Sequence, residues 1–211
     1  MATTNRTVIG QPPLGDYSQL RLKTVRKNTV FYRITKPGYP TPLYFNETKD
    51  GRYNAPDGSY GVCYMADSVE CAFAESIGHS VAVRFQPARV KLLDVSELRA
   101  VNVFQVKATD TLRCVSLYSA GLPSLSLDNR INTSPPPYKT PQAWSKWIHE
   151  SPNKPGGILY HSRHLPDGKC TAVFSRFERH LSWEDLGPLI DWSDRKMDIW
   201  DILYKHNWGV V

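Results

Sequence analysis

Long apolar segments and paired cysteines are both missing from this chain of 211 residues. No continuous apolar run approaches the roughly 18 residues of a membrane helix, and MATTNRTVIGQPPLGDY at the start contains no apolar leader core. The sequence therefore predicts a cytoplasmic protein with no membrane partner. None of the 4 cysteines belongs to a Cys-x-x-Cys pair, and most stand inside apolar runs. This pattern favours buried thiols in a reducing compartment.

The common cofactor and nucleophile motifs are missing as well. There is no glycine-rich dinucleotide loop, no phosphate-binding loop with its lysine, no Gly-x-Ser-x-Gly elbow and no His-Glu-x-x-His. His161 and His164 stand close together, but no third ligand is near them in the sequence, so no metal site is predicted. These absences argue against familiar cofactor folds, and we expect no bound cofactor.

Blocks of basic residues are also missing, although the chain is mildly basic. It carries 26 Lys and Arg against 20 Asp and Glu, a formal net charge of +6. The basic residues are scattered, whereas a nucleic-acid-binding arm typically contains about five or six in a row. Direct binding of nucleic acid is therefore not predicted. The excess of positive charge is compatible with an ordinary solvated surface, with binding of a small anionic ligand or with docking of an acidic protein partner.

The residues that are present indicate one loop-rich globular domain. Hydrophobic residues make up 41% of the chain, and 16 Pro with 13 Gly mark many turns. Strands are predicted at 29–34, 61–66, 81–85, 90–95, 157–162 and 170–175, and helices at 67–77, 140–148 and 194–206. The last helix is expected to carry Met197, Trp200, Leu203 and Tyr204 on one face. The expected fold is mixed α/β.

Several polar side chains stand where the local pattern is otherwise apolar or turn-forming. They are Arg33 in a strand, Arg52 in a loop, Tyr64 in a buried strand, Glu75 on a helix of small residues, and Ser162 at a strand end. Each has an ordinary explanation when taken singly: a salt bridge, a satisfied core hydroxyl, a solvated carboxylate or a backbone hydrogen bond. Their order along the chain is more informative.

Separated blocks of the sequence carry a resemblance to a known family. They are FYRI, GRYNAPDGSYGVCYMADSVECAFAE, YKTPQAWSKWIHESPNKPGGILYHSRH and TAVFSRFE. In this order they resemble the RES domain, named for its Arg, Glu and Ser, over roughly residues 29–180. The chain then divides into an N-terminal arm (1–28), the RES-like NAD-consuming domain (29–180) and a C-terminal helical extension (181–211) packed on the same domain.

The resemblance implies both a fold and an activity. The fold is of the α+β class, a single mixed α/β domain with a small split β-sheet like that of ADP-ribosyltransferases, flanked by helices. RES proteins are typically the toxin of a pair with an Xre-like antitoxin, and they consume NAD. The implied reaction cleaves the nicotinamide–ribose bond by glycohydrolysis or phosphorolysis. ADP-ribosyl transfer to a protein, a non-catalytic nucleotide-binding module and a homo-oligomer remain open.

The family's motif also implies roles for single residues. Arg52, Tyr64 and Glu75 fall on its catalytic positions, and Glu75 is suited to stabilise an oxocarbenium-like sugar. Arg33, Tyr53 and Ser162 fall on positions expected to bind NAD. Arginine suits the anionic pyrophosphate, tyrosine suits the nicotinamide ring, and serine suits the ribose or the carboxamide.

Overall fold

The computed structural model describes residues 9–35, 39, 41–78 and 91–211. Within them the strands are β1 (Leu22–Val25), β2 (Val30–Thr35), β3 (Val62–Ala66), β4 (Lys91–Leu93), β5 (Asn102–Ala108), β6 (Leu112–Leu117), β7 (Gly157–His161), β8 (Lys169–Phe174), β9 (Leu181–Pro188) and β10 (Trp208–Val210). The α-helices are α1 (Val69–Phe73), α2 (Val95–Arg99), α3 (Gly121–Ser124), α4 (Arg130–Thr133), α5 (Lys139–Glu150) and α6 (Ile199–Lys205). A π-helical segment covers Ala74–Gly78, and 3-10 turns cover Ser175–His180 and Leu189–Asp191.

Most of these strands form one sheet in the order β1-β6-β7-β8-β3-β2-β5-β9. Neighbouring strands are antiparallel except β6 and β7, which are parallel. A parallel pair needs a long crossover, and the chain between β6 and β7 contains α3, α4 and α5. The mixed α/β class expected from the sequence is confirmed, and the predicted strand pair at 157–162 and 170–175 forms as β7 and β8.

The sheet is weakly joined at its centre. β3 pairs with β8 along its whole length, and β2 pairs with β5 along its whole length. Between β2 and β3, the described residues contain a single aligned pair, Tyr32 with Ala66. The sheet therefore has two halves, β1-β6-β7-β8-β3 and β2-β5-β9, with a gap where their inner strands diverge.

The side chains of β3 alternate between two buried clusters. Ala66 belongs to the same core cluster as Trp144 of α5, and Tyr64 packs against that cluster. Cys63 and Met65 belong to a second core on the opposite face of the sheet. This alternation follows from the two-residue period of a strand, and it directs Tyr64 toward the face covered by α5.

The predicted helix at 67–77 forms in two parts. Its N-cap is Ser68, whose hydroxyl accepts from the amide of Cys71 at 3.1 Å, so the helix begins two residues later than predicted. After Phe73 the backbone widens into the π-helical segment, where the Ser76 hydroxyl donates to the carbonyl of Ala72 at 2.6 Å. Such local widening is common at functional sites because it changes where side chains point.

The two chain ends differ from their predicted form. The arm at 1–28 includes β1, which pairs with β6 at one edge of the sheet. The extension at 181–211 begins with β9, which pairs with β5 at the other edge, so it is not simply helical. In α6, Leu203 is 2% exposed while Trp200 and Tyr204 are 50% and 89% exposed, so the predicted apolar face is only partly buried.

Other sequence predictions concern smaller parts of the chain. The strand expected at 81–85 lies outside the described residues, and the strand expected at 90–95 is observed as β4. The helix expected at 140–148 is observed as α5. Its helical spacing predicts Ala143, Trp144, Trp147 and Ile148 on the core side; the last three are buried and Ala143 is half-buried. Within the described ranges, no helix has the length and apolarity needed to cross a bilayer.

Candidate active site

A cavity of about 320 Å³ opens where β2 and β3 diverge. Its lining includes residues 32–34 of β2, 64–66 of β3, 50–52 of the preceding loop, 75–76 of the π-helical segment and 163–164 after β7. This volume lies in the range of small-molecule sites, about 300 to 1,000 Å³. The gap in the sheet thus gathers loop, strand and helix residues that are far apart in the sequence.

Glu75 is held in this cavity by three hydrogen bonds to one oxygen. Its Oε1 accepts from the Ser162 hydroxyl at 2.5 Å, from the Arg163 amide at 2.9 Å and from the His164 amide at 3.4 Å. Among the described residues, nothing donates to Oε2. The three donors fix the orientation of the carboxylate through Oε1, and the second oxygen remains for a ligand.

Ser162 lies behind Glu75 and not at the cavity surface. Its side chain is 3% exposed, and its oxygen also accepts from the amides of His164 at 3.1 Å and Leu165 at 2.9 Å. The hydroxyl therefore shapes the turn after β7 and donates a hydrogen bond to the carboxylate of Glu75. The sequence suggested that Ser162 contacts NAD directly. In the structure its hydroxyl already donates one hydrogen bond and accepts two within the protein, so it is not placed to bind NAD.

Arg52 reaches from its loop to the segment that leads into α5. Its Nη1 donates to the carbonyls of Ser134 at 2.8 Å and Ile131 at 3.4 Å. In the described part of the chain, Nε and Nη2 have no hydrogen-bond partner. These two groups form the planar fork with which arginine binds two oxygens of an anion at once.

Tyr64 lines the cavity with its ring, while its hydroxyl holds the neighbouring loop. The hydroxyl donates to Oδ1 of Asn54 and accepts from the amide of Tyr53, both at 2.8 Å. Burial raises the pKa of Tyr64 well above its usual value. Gly51 is needed here, since a Cβ would clash with Asn54 Oδ1 and would lie 2.7 Å from the Tyr64 hydroxyl.

Tyr53 lies in the core and not in the cavity. Its side chain is 0% exposed, its hydroxyl donates to Asn132 Oδ1 at 2.5 Å, and its ring meets Tyr160 edge to face at 5.0 Å. Burial raises its pKa well above the usual value. The sequence suggested that Tyr53 contacts the nicotinamide ring. The structure places the Tyr53 ring in the core beneath its loop instead, away from the cavity.

Arg33 lines the cavity, but its guanidinium is engaged on the other face of β3. Its Nη1 donates to Sγ of Cys63 and lies 3.5 Å from the carbonyl oxygen of Tyr44. Cys63 belongs to the core cluster on the side of the sheet away from α5. The structure thus brings Arg33, Arg52, Tyr64 and Glu75 to one cavity.

Four further lining residues were given no role by the sequence reasoning. Asp50, Asn132, Tyr138 and Arg163 all border the cavity. Arg163 stood in the family-like Tyr-His-Ser-Arg ending, and Tyr138 opened another matched block, so both had a signal in the sequence. Within the described residues, no group of three or more His, Cys, Asp or Glu is placed to hold a metal ion.

Comparisons with known proteins agree with this architecture. A family model described as the RES domain matches residues 30–190. A probable toxin of Sinorhizobium fredii, y4kH, is 32% identical over 114 residues, covering 52% of this chain and 84% of that protein. A chain from the crystal structure of the M. tuberculosis MbcT-MbcA toxin-antitoxin complex superposes with a TM-score of 0.56 at 19% identity. That match covers 78% of this chain and 87% of the other, and it supports the fold.

The family match spans the strand that carries Arg33, the loop of Arg52, the helix of Glu75 and the turn of Ser162. It also extends past residue 180 through β9, in agreement with the pairing of β9 in the main sheet. This chain belongs to the RES domain family.

Proposed function

We propose that this protein is the toxin of a toxin–antitoxin pair and that it cleaves NAD at the nicotinamide–ribose bond. The observation that carries the proposal is the cavity shared by the fixed carboxylate of Glu75 and the open fork of Arg52. The S. fredii relative is named a probable toxin, which supports the biological role.

The chemistry assigned to Glu75 follows from the charge that develops on the sugar. As the bond from C1′ to nicotinamide breaks, its electron pair moves to the pyridinium nitrogen, and the ribose becomes oxocarbenium-like. A carboxylate held beside C1′ stabilises that positive charge. When water is the acceptor, its oxygen bonds to C1′ and its proton leaves by way of the carboxylate or solvent, giving ADP-ribose and nicotinamide.

The chemistry assigned to Arg52 follows from the charge of the substrate. The pyrophosphate of NAD offers pairs of oxygens that match a guanidinium fork. Tyr64 presents a ring to the same cavity while its hydroxyl is bound elsewhere, so it acts as an aromatic wall for the substrate. Ser162 acts by holding Glu75.

The reaction is tested by incubating the purified protein with NAD, in buffers with and without inorganic phosphate, and measuring released nicotinamide. We expect release by the wild type and strong loss in Glu75→Gln and Arg52→Ala. Tyr204→Ala serves as the control because this side chain is 89% exposed on α6. Wild type that releases no nicotinamide, or variants that release it undiminished, would refute the proposal.

The acceptor is identified in the same experiment. ADP-ribose as product indicates water, and ADP-ribose 1″-phosphate indicates phosphate. With labelled NAD and a cell lysate, label fixed to protein would instead show ADP-ribosyl transfer. Saturable NAD binding without any of these products would identify a non-catalytic module.

The antitoxin is proposed to be a small Xre-like protein that covers the cavity. The structural neighbour was crystallised as a toxin-antitoxin complex, which supports a partner of this kind. Co-expression with the product of an adjacent Xre-like gene is expected to restore growth and cellular NAD. A partner that binds this protein but leaves NAD depletion unchanged would contradict the proposed inhibition.

A further inference from the structure

The guanidinium of Arg52 lies over the face of an aromatic ring. Its Cζ atom lies 4.6 Å from the ring centroid of Tyr138. Tyr138 is half-buried, occupies the N-cap position of α5 and lines the same cavity as Arg52. A guanidinium within about 6 Å of a tyrosine face is attracted by the partial negative charge that the ring's quadrupole places on that face.

The same stretch of chain also holds one edge of Arg52. Ser134 and Ile131 accept from Nη1 through their carbonyls, only a few residues before Tyr138. Residues 131–138 thus hold the guanidinium both by hydrogen bonds to Nη1 and by the ring of Tyr138. The remaining edge, with Nε and Nη2, is the fork to which the proposed function assigns the pyrophosphate.

We propose that Tyr138 is a positioning residue that holds the plane of Arg52 so that its fork meets the pyrophosphate of NAD. This inference rests on the proposed function. The ring, and not the hydroxyl, performs the task, because the hydroxyl has no hydrogen-bond partner among the described residues. Arginine is flexible, so fixing its plane before binding lowers the ordering cost of the complex.

The test compares Tyr138→Phe, Tyr138→Leu and Tyr138→Asn. Phe keeps the ring, Leu removes it, and Asn removes it while supplying a favourable N-cap for α5. Calorimetry with ADP-ribose gives Kd without turnover, and nicotinamide release gives KM and kcat for NAD. We expect Leu and Asn to raise Kd and KM by about 2- to 30-fold, the range of cation–π strengths, with kcat little changed.

Two controls separate positioning from general damage. Tyr138→Phe should remain close to wild type, and Tyr204→Leu should have no effect on binding. Because Tyr138 acts through Arg52, Tyr138→Leu should cause no further loss in an Arg52→Ala background. Thermal melting of each variant confirms that it is folded.

The outcomes also separate this inference from the proposed function. If Arg52→Ala weakens ADP-ribose binding while Tyr138→Leu and Tyr138→Asn bind like wild type, the positioning role is wrong and the proposed function stands. The same conclusion follows if Phe is as damaging as Leu, or if the losses of Tyr138→Leu and Arg52→Ala add fully. If wild type neither binds ADP-ribose nor cleaves NAD, both fail.

Discussion

Replacing Ser162 with alanine tests the arrangement behind Glu75. The change removes the shortest of the three hydrogen bonds to Oε1, which is 2.5 Å long. The hydrogen bond from the backbone amide of Arg163, at 2.9 Å, remains. It also leaves the amide of Leu165 without its acceptor. The carboxylate is expected to remain in the cavity but to lose its fixed orientation.

The size of the effect follows from the kind of bond that is lost. A hydrogen bond to a charged group contributes about 1.5–3 kcal/mol. If that energy serves mainly to hold Glu75 in the orientation that the reaction needs, its loss lowers kcat by about 10- to 150-fold, since 1.36 kcal/mol corresponds to tenfold in rate. KM for NAD should change little, because Ser162 does not border the cavity.

The assay measures nicotinamide release together with urea unfolding. Ser162→Thr keeps a hydroxyl and should recover part of kcat. Ser175→Ala is the matched control for stability, because it removes a hydroxyl that accepts from the Gly61 amide at 3.2 Å. It should lower the free energy of unfolding without lowering kcat in the same proportion. Wild-type kcat in Ser162→Ala would refute the reasoning.

Three other substitutions test the surroundings of the site. Tyr64→Phe keeps the aromatic wall but removes a buried hydroxyl with two partners, so the free energy of unfolding should fall by about 1–3 kcal/mol in urea titration. Gly51→Ala forces a Cβ against Asn54 Oδ1; melting should show clear destabilisation and nicotinamide release should drop. Burial, aided by Arg176, lowers the pKa of His149 to about 4, so wild type should lose stability as pH falls from about 6.5 toward 4, because only the unfolded chain takes up the proton there. His149→Phe keeps the ring stack on Tyr60 and should reduce that loss in urea titrations at pH 7 and pH 5.

The regular elements with strong patterns could be predicted from the sequence. The short, continuous apolar runs of β7 and β8, with a turn between them, specify a hairpin of buried strands. The helical spacing of Trp144, Trp147 and Ile148 specifies the buried side of α5. The family resemblance then placed Arg52, Tyr64 and Glu75 in a common site, and the structure brings all three to one cavity.

Other features depend on contacts that no local pattern contains. The position of Tyr53 is decided by Asn132, a residue 79 positions away. The role of Ser162 depends on Glu75, which lies 87 positions away. Loop residues have no period from which burial can be read, so a core tyrosine and a cavity tyrosine look alike in the sequence. The strand β9 was missed because its exposed edge carries few apolar residues.

The central claim is that the carboxylate of Glu75 promotes cleavage of NAD, and Glu75→Gln tests it most directly. Glutamine keeps an oxygen that can accept from Ser162 and Arg163, so the fold and NAD binding should persist while the charge is lost. We expect calorimetry to show NAD binding close to wild type and nicotinamide release to fall by about 100- to 1,000-fold, the usual loss for a group that stabilises transition-state charge. Release at the wild-type rate by a folded, NAD-binding Glu75→Gln protein would contradict the account.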